Sequence, residues 1–394
     1  MARGQLVLIA PPWYPVPPEG YGGIELVVAL LAGGLRQLDQ DVLIFGAEGS
    51  APEVEVEAPS HWRADLGHKD ERLRELTYAA HIRRALARRA DSVDVIHDHT
   101  GFATLLTSSL IPLVPVVHTV HGPVSEPLRT SYQSLGTRVG LVAISDSQRS
   151  TVPELNWLGT VHNAVDIDQL TVAEAREKEG YLLCLARICR DKGQHLAVEV
   201  ARRTGRKLVL AGKIEPGPEG HEYFAEYIAP AIDGDKVVHI SDVSGKEKAS
   251  LLAKAAALLA PLQWEEPFGL YMAEAVASGT PVIALSRGAA PEVVAHGETG
   301  FLVENVDEMV EAVSRLDEID AARCAKVGRD RFSPRTMAAG YLEIYEKVLT
   351  GIDELLASRP GTEGAVATAR STAASAHETV AAANERVAAA DSES

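Results

Sequence analysis

The sequence predicts an α/β protein built from two units, each with its own parallel sheet. Short apolar runs alternate with segments of helical periodicity along both halves of the chain, and this alternation is typical of parallel sheets covered by helices. A charged stretch at Asp168–Gly180 separates the two arrays and suits a connector. The chain has 394 residues, which is long enough for two domains with sizeable cores.

Composition limits the partners of the protein. The net charge is −17, so no excess of cations is available to neutralise phosphates, and we expect no nucleic-acid binding. The apolar run near the start spans only about six residues, too few for a signal sequence, so we expect a cytoplasmic protein. The longest uncharged stretch, Thr100–Val117, contains Pro112 and Pro115. We therefore expect no transmembrane segment, and peripheral membrane contact stays open.

The first half begins with a strand at Gln5–Ala10, a loop rich in proline and glycine, and a helix at Ile24–Leu38. Gly22 and Gly23 stand where the loop turns into the helix. Glycine lets a ligand approach the backbone closely, and a helix start offers unpaired N–H groups to an anion. Because glycine-rich turns before helices are common, this pattern is weak by itself.

Histidines follow two later strands of the first half. His97 and His99 form an H-x-H pattern, but no third metal ligand is evident, so we expect the pair to line a cleft. Whether they contact an acceptor stays open. The strand Pro115–Gly122 brings His121 to the same edge of the sheet. Because side chains alternate along a strand, His121 lies on the opposite face from His118.

Two cations follow the first strand of the second half. The strand Tyr181–Ala186 is followed by Arg187 and Lys192, and then by Gly193 before a helix. Arginine and lysine both bind phosphate, so a strand-end loop that carries both predicts a pyrophosphate site. Lys213 follows the next strand and offers another phosphate contact.

The segment Gln263–Thr280 carries two carboxylates. Glu266 lies in a loop after an apolar strand, and Glu274 lies inside the helix that opens near Gly269. Carboxylates accept hydrogen bonds from sugar hydroxyls, and open α/β sheets bind ligands outside the carboxyl ends of their strands. The segment is therefore able to hold a sugar attached to phosphate. Surface glutamates are common, however, so two of them alone favour a solvated acidic turn followed by an ordinary helix residue.

A family resemblance makes this interpretation more specific. The residues Glu266–Glu274, EPFGLYMAE, resemble the E-x7-E element of retaining GT-B glycosyltransferases, in particular glycosyltransferase family 4. The similarity continues through Gly279–Val303, and YGGIE, PVVHTVH and ARICRDKG resemble further motifs of that family. It covers residues 7–348. The resemblance implies two Rossmann-like domains that face each other across a cleft, with a C-terminal helix crossing back to the first domain.

The same resemblance divides the chain. It implies an acceptor-side domain at 1–168, a nucleotide-sugar domain at 169–334 and a crossing helix at 335–350. Residues 358–394 are rich in alanine and polar residues and cannot bury enough apolar surface, so we expect a disordered tail. Ala164 departs from the family, which usually has glycine at that position of its NGVD element.

The resemblance also implies a reaction and its residues. It implies a retaining glycosyltransferase that moves a hexose-type sugar from a UDP- or GDP-sugar to a hydroxyl acceptor, with no metal and no other cofactor. Arg187 and Lys192 would hold the leaving diphosphate, Glu266 the sugar hydroxyls, Glu274 the ribose, and His121 the transferred sugar. Further donor contacts are expected at Gly22, Gly23, Lys213, Val243, Phe268, Gly269 and Leu270.

Two alternatives stay open at this point. A nucleotide-sugar 2-epimerase would share the fold and the phosphate contacts. A non-catalytic sugar-binding protein would bind a sugar without turnover. Backbone recognition leaves little trace in side chains, so the sequence does not name the base, the sugar or the acceptor, and it leaves the oligomeric state open.

Overall fold

The computed structural model of the protein describes residues 5–20, 22–112, 114–172, 178–243 and 245–357, with side chains described as far as residue 351. The alanine-rich tail at 358–394, for which we predicted disorder, lies outside the described residues. The centre of the predicted connector, 173–177, lies outside them as well.

The first domain is organised around a seven-stranded parallel sheet. Its strands are β1 (Gln5–Ile9), β2 (Val42–Ala47), β3 (Val54–Ala58), β4 (Val93–Asp98), β5 (Val116–Val120), β6 (Val139–Ala143) and β7 (Trp157–Thr160). They are ordered β3-β2-β1-β4-β5-β6-β7 across the sheet. Continuous apolar runs such as QLVLI in β1 form these strands because helices bury both faces of a parallel sheet.

Helices cover both faces of this sheet. They are α1 (Gly23–Arg36), α2 (Glu71–Ala87), α3 (Phe102–Ser108), α4 (Glu126–Leu135) and α5 (Asp146–Ser150). Helix α1 packs on one face, and α2, α3 and α4 pack on the other. Alternate residues of each strand therefore enter two different cores, as the strand geometry requires.

The second domain holds a six-stranded parallel sheet. Its strands are β8 (Leu182–Leu185), β9 (Leu208–Ala211), β10 (Val237–Ile240), β11 (Ala257–Ala260), β12 (Val282–Leu285) and β13 (Gly300–Val303). Their order is β10-β9-β8-β11-β12-β13. The helices are α6 (Gln194–Thr204), α7 (Pro218–Tyr223), α8 (Gly245–Lys254), α9 (Leu270–Ala277), α10 (Ala290–Val293), α11 (Val306–Ser314) and α12 (Ala321–Arg331).

The strand order reverses at one point in each sheet, between β1 and β4 and between β8 and β11. Ligands of open α/β sheets bind at such points, outside the carboxyl ends of the strands. The loops that leave these four strands are therefore the ones expected to carry a binding site.

The last helix, α13 (Pro334–Ala357), crosses back to the first domain, which confirms the predicted architecture. It packs on α1, where Gly34 makes room for the backbone of Pro334, because a Cβ at Gly34 would lie 2.2 Å from the Pro334 carbonyl oxygen. Tyr341 and Tyr345 of α13 are fully buried. Within the part of the chain that is described, no helix is long and apolar enough to cross a bilayer.

The sequence does not predict the two edge strands of the first sheet, and the stretch Glu48–Asp70, which contains β3, is polar and irregular in pattern. Strand β3 has the sequence VEVEA and strand β7 has WLGT, and both are only partly buried. Edge strands are short and carry polar side chains, which protects them from pairing with other chains. Their hydrophobic pattern is correspondingly faint.

Candidate active site

A cavity of about 460 Å³ lies between the two domains, a volume typical of small-molecule sites. The first domain contributes the loop after β1, the start of α1 and the residues after β5, and the second contributes the loops after β8 and β11. Eight of the predicted site residues line it, namely Gly22, Gly23, His121, Lys192, Glu266, Phe268, Gly269 and Leu270. The cleft therefore brings together residues that are far apart in the chain.

An ion pair between Lys192 and Glu266 is the centre of the second-domain wall. The two side chains are 12% and 8% exposed, so water screens their attraction only weakly. The indole N–H of Trp264 donates to a carboxylate oxygen of Glu266 at 3.3 Å. The Lys192 ammonium lies 5.1 Å from the ring centres of both Trp264 and Tyr271, within cation–π range. One carboxylate and two aromatic rings thus surround the cation.

Two glycines let the loops of Lys192 and Glu266 pack closely. Gly193 has a φ of 67°, and a Cβ there would lie 2.0 Å from the Pro261 carbonyl oxygen. Gly288 has a φ of 55°, and a Cβ there would lie 2.2 Å from the backbone nitrogen of Glu266. Larger residues at either position would push the backbones apart. The geometry of the ion pair is therefore fixed by backbone contacts behind it.

A second cavity of about 520 Å³ shares Tyr14 with the first. Three predicted donor contacts, Arg187, Lys213 and Val243, line it from the second domain. Arg63 lines it from the first domain, and its guanidinium lies 4.4 Å from the ring centre of Tyr14. The predicted phosphate residues are thus divided between two adjoining cavities.

The second-domain cations of both cavities have carboxylate partners. Beyond Lys192, the pairs are Arg187–Glu215 at 3.1 Å, Lys213–Asp242 at 3.3 Å and Lys248–Glu274 at 2.6 Å. Glu274 lines neither cavity itself and reaches the second one through Lys248, which does. An anionic ligand bound here would compete with carboxylates that already hold the cations.

The first-domain wall has a different character. Glu25, in the first turn of α1, is 3% exposed and lines the first cavity. Loss of solvation raises the pKa of Glu25 to about 7, although hydrogen bonds from its own backbone N–H and that of Tyr14 oppose the shift. A carboxyl group that changes protonation near neutral pH therefore borders the cavity.

A row of histidines begins in this wall with His121 and continues behind it with His99 and His97. His99 Nδ1 and His121 Nε2 lie 2.9 Å apart. His97 is bonded at both ring nitrogens, to Thr119 Oγ1 and to the Tyr345 hydroxyl, each at 2.7 Å. Burial holds the pKa of His97 and of His99 well below the usual range and lowers the pKa of His121 to about 3. These imidazoles are therefore neutral at physiological pH.

The H-x-H pattern does not extend to a metal site in the described residues. No group of three or more histidine, cysteine, aspartate or glutamate side chains there is arranged to hold a metal ion. Both nitrogens of His97 are engaged in hydrogen bonds with hydroxyl groups. Through these hydrogen bonds His97 instead links β4 to β5 and to α13.

One carboxylate joins the two domains directly. Glu292, in α10, accepts hydrogen bonds from the backbone N–H groups of Asp146 at 2.8 Å and Ser147 at 2.7 Å, both in the first domain. His162 Nε2 lies 3.0 Å from the same carboxylate. These hydrogen bonds hold the pKa of Glu292 below its usual value although burial opposes them. Glu292 therefore contributes to the orientation of the domains.

Sequence reasoning missed several residues of the cleft. They are Trp264 and Tyr271 around Lys192, Lys248 beside Glu274, and Glu25 and Asn163 on the first-domain wall. Tyr271 lies within the motif Glu266–Glu274 and Trp264 lies just before it. The sequence therefore indicated that both are near the site, but it did not indicate their contact with Lys192. Asn163 belongs to the TVHNAVD segment, where the sequence suggests only a turn.

Solved structures define the class of protein. AviGT4, described as a glycosyltransferase involved in avilamycin A biosynthesis, is 26% identical, with a TM-score of 0.67 over 88% of this chain and 98% of that chain. Together with the two facing sheets and the cleft between them, this similarity identifies a glycosyltransferase of the GT-B fold, as predicted.

Sequence comparisons identify the family. The model described as Glycosyltransferase Family 4 matches residues 21–169, and the model described as Glycosyl transferases group 1 matches 167–331. Alpha-maltose-1-phosphate synthase of Mycolicibacterium smegmatis is 30% identical over 84% of this chain and 97% of its own length. MMP alpha-(1->4)-mannosyltransferase of Mycolicibacterium hassiacum is 29% identical over 70% of this chain and 76% of its own length. The chain belongs to glycosyltransferase family 4.

Proposed function

We propose that this glycosyltransferase moves a hexose-type sugar from a UDP- or GDP-sugar to a hydroxyl group of an acceptor, with retention of anomeric configuration and without a divalent metal. The observation that carries the proposal is the placement of Arg187 and Lys192 after β8, with the buried carboxylate of Glu266 after the neighbouring strand β11. Cations suited to a diphosphate and a carboxylate that can accept hydrogen bonds from sugar hydroxyls thus lie at the same switch point of the sheet.

The cations would stabilise the leaving group. When the bond between the anomeric carbon and the diphosphate oxygen breaks, the leaving group keeps the electron pair and gains negative charge. Lys192 and Arg187 would face this charge, and preorganised stabilisation of this kind is commonly the largest contribution of an enzyme to catalysis. With these cations present, no metal ion is required by the charge of the leaving group.

Donor binding would exchange the partners of the cations. In the structure, Lys192 is paired with Glu266 and Arg187 with Glu215. A bound diphosphate would take over both cations and leave the Glu266 carboxylate without its ion pair. Because an unpaired buried carboxylate is costly, Glu266 would be satisfied by the hydroxyls of the sugar, and this couples diphosphate binding to recognition of the sugar.

The transfer step balances without a protein base. The acceptor oxygen bonds to the anomeric carbon on the face that the diphosphate leaves, and the proton of the acceptor hydroxyl passes to the departing phosphate oxygen. His121 is neutral and lines the cavity that holds Lys192 and Glu266. Its role would be a hydrogen bond to a sugar hydroxyl, which orients the reacting face.

The relatives support transfer of a hexose. One is named as an alpha-(1->4)-mannosyltransferase and another as an alpha-maltose-1-phosphate synthase. Both names describe α-linked sugars, which a retaining enzyme forms from a donor whose sugar is α-linked to its diphosphate. The acceptor would enter from the first-domain side of the cleft, where the loop after β1 borders both cavities.

A thermal-shift screen with UDP-, GDP- and ADP-linked glucose and mannose tests the donor. We expect one nucleotide class to raise the melting temperature of the wild-type protein by several degrees, by mass action on the folded state. The Lys192→Ala variant should lose most of this shift. If no nucleotide sugar stabilised the protein, or if both proteins shifted equally, the phosphate assignment would be wrong.

Two further measurements test the chemistry. Proton NMR of the product should show the anomeric configuration of the donor, and activity should persist in excess EDTA. Incubation with donor alone separates the epimerase alternative, because an epimerised sugar would then appear without any acceptor. Inversion of configuration would overturn the proposed mechanism, and loss of activity in EDTA would overturn metal independence.

A further inference from the structure

His99 is held in one orientation behind the cleft. Its side chain is buried, and its backbone N–H donates to the Ile9 carbonyl oxygen at 3.0 Å. Its ring centre lies 4.0 Å from that of His97 and 5.2 Å from that of His121. His97 is itself fixed by hydrogen bonds at both ring nitrogens. The ring of His99 is therefore packed against two other imidazoles and has little room to turn.

The two ring nitrogens of His99 differ in their surroundings. Nδ1 lies 2.9 Å from His121 Nε2, whereas Nε2 is buried and has no hydrogen-bond partner among the described residues. Loss of solvation lowers the pKa of both imidazoles and keeps both rings neutral, so each ring carries a single N–H. One ring must therefore donate to the other across this contact.

The unpartnered nitrogen indicates which ring donates. If His121 Nε2 donated, the single proton of His99 would lie on its Nε2, as a buried N–H without an acceptor. If His99 Nδ1 donates, its Nε2 carries only a lone pair that lacks a donor. An N–H without an acceptor is the costlier of the two, as its rarity among buried backbone groups indicates. The second arrangement is therefore favoured, and it leaves the proton of His121 on Nδ1.

This second nitrogen of His121 is available to the cleft. His121 is half-buried and lines the cavity that also holds Lys192 and Glu266. Within the part of the chain that is described, the contact with His99 is the one hydrogen bond of the His121 ring. A protonated Nδ1 donates to an oxygen lone pair and cannot accept from an O–H group.

We propose that His99 is a positioning residue that fixes the tautomer of His121. The His99 Nδ1–H donates to His121 Nε2, and His121 then presents an Nδ1–H donor to an oxygen of the transferred sugar. The inference rests on the proposed function, which places that sugar beside His121. The hydrogen bond that one ring nitrogen makes sets the protonation of the other. At this point the sugar is therefore recognised as a hydrogen-bond acceptor.

The first test observes the tautomer without any ligand. In protein labelled with nitrogen-15 at histidine, NMR distinguishes protonated from unprotonated ring nitrogens, and the signals lost in His121→Gln assign His121. At pH 7 we expect a protonated Nδ1 and an unprotonated Nε2. In His99→Leu the proton should move towards Nε2, because the donor that held it on Nδ1 is gone. A proton on Nε2 of His121 in the wild-type protein would overturn the proposal.

The second test uses two variants of nearly equal size. His99→Asn places an amide N–H close to the position of the imidazole Nδ1, whereas His99→Leu has no donor. We expect His99→Leu to lower kcat roughly 10-fold with unchanged affinity for free UDP or GDP, and His99→Asn to retain most of the wild-type kcat. His99→Leu should nevertheless melt at least as high as His99→Asn, because the amide buries an unpaired oxygen. If kcat instead followed the melting temperature in the two variants, His99 would have a structural role only.

A double variant shows whether His99 acts through His121. In the His121→Ala background, His99→Leu should lower kcat no further, because the group that it positions is absent. A second fall of the same size there would overturn the proposal. If the wild-type protein turned over no nucleotide sugar, the proposed function would fail, and the nitrogen-15 spectra would still decide the tautomer of His121.

Discussion

The two walls of the cleft differ in how they treat charge. The second-domain wall presents cations, each held by a carboxylate, as in the pair of Lys192 and Glu266. The first-domain wall presents groups that are neutral or close to neutrality: Glu25 and Asn163 are buried and His121 is half-buried. One wall is therefore suited to an ionic group and the other to hydroxyls.

This difference follows from the surroundings of each wall. The charged groups stand on loops whose partners compensate them, so burial does not force them to become neutral. The first-domain groups stand at strand ends and a helix start that pack against α13 and α1, where loss of solvation disfavours charge. A nucleotide sugar has the same polarity, with a charged diphosphate and a neutral sugar.

The largest effect should come from the charged wall. Replacement of Lys192 by alanine removes the most buried of the cations, and we expect kcat to fall by on the order of 10²- to 10³-fold, because charge on the leaving group loses its stabilisation. Steady-state kinetics with the identified donor measure it. Lys213→Ala is the control, since Lys213 is 62% exposed and its pair is screened by water. An equal fall in kcat in the two variants would contradict a special role for the buried cation Lys192.

A somewhat smaller loss is expected on the neutral wall. His121→Ala should lower kcat roughly 10²-fold while the affinity for free nucleotide stays unchanged, because the imidazole faces the sugar and not the phosphate. Calorimetry with UDP or GDP and kinetics with the full donor separate the two effects.

The pH dependence of His121 gives a further check. Since its pKa is lowered to about 3, the wild-type kcat should show no step from this imidazole between pH 5 and 8. His118→Gln is the control on the opposite face, where His118 contacts Asp98 and Tyr132, and it should affect stability more than kcat. Loss of nucleotide affinity in His121→Ala would place that residue at the phosphate.

Glu25 provides a test through stability. Its pKa is raised from 4.5 to about 7, so the folded state holds a proton that the unfolded state releases above pH 4.5. The contribution of Glu25 to stability is therefore greatest below about pH 4.5 and falls as pH rises towards 7, by about 3 kcal/mol. Glu25→Gln should abolish this dependence and stabilise the protein at pH 8. Urea unfolding at pH 5 and pH 8 measures the difference, and identical slopes for both proteins would contradict a buried carboxyl without a cation.

The smallest effect concerns the orientation of the walls. Glu292→Ala removes three hydrogen-bond partners across the domain interface, and we expect donor affinity to weaken roughly fivefold, or about 1 kcal/mol. Glu298→Ala is the control, because Glu298 pairs with Arg323 at the surface within one domain. Titration of both variants with the same nucleotide sugar measures the effect. Unchanged affinity in Glu292→Ala would show that these hydrogen bonds do not set the orientation of the domains.

Sequence reasoning predicted the fold more completely than the site. Apolar strands alternating with helices and the motif at Glu266–Glu274 were enough for the GT-B architecture, including the helix that crosses back. The edge strands β3 and β7 escaped because their residues are polar or only partly buried. The local hydrophobic pattern does not reveal strands that form only because they pair with a neighbouring strand of the sheet.

The environment of the site residues was beyond the sequence. Lys192 and Glu266 were predicted as separate contacts, but their ion pair depends on two loops packed through Gly193 and Gly288. The unsatisfied oxygen of Asn163 likewise follows from tertiary packing and not from its neighbours in the chain. Pairing and solvation are three-dimensional properties, so they require coordinates.

The central claim is that the second-domain wall binds the diphosphate and the first-domain wall faces the sugar. A crystal structure of the protein with the nucleotide sugar that stabilises it most tests this claim. The diphosphate should contact Lys192 and Arg187, with Glu266 released from Lys192 and bonded to the sugar, while the sugar hydroxyls face His121. A nucleotide bound outside the interdomain cleft, or a Lys192–Glu266 pair left intact beside the bound diphosphate, would contradict it.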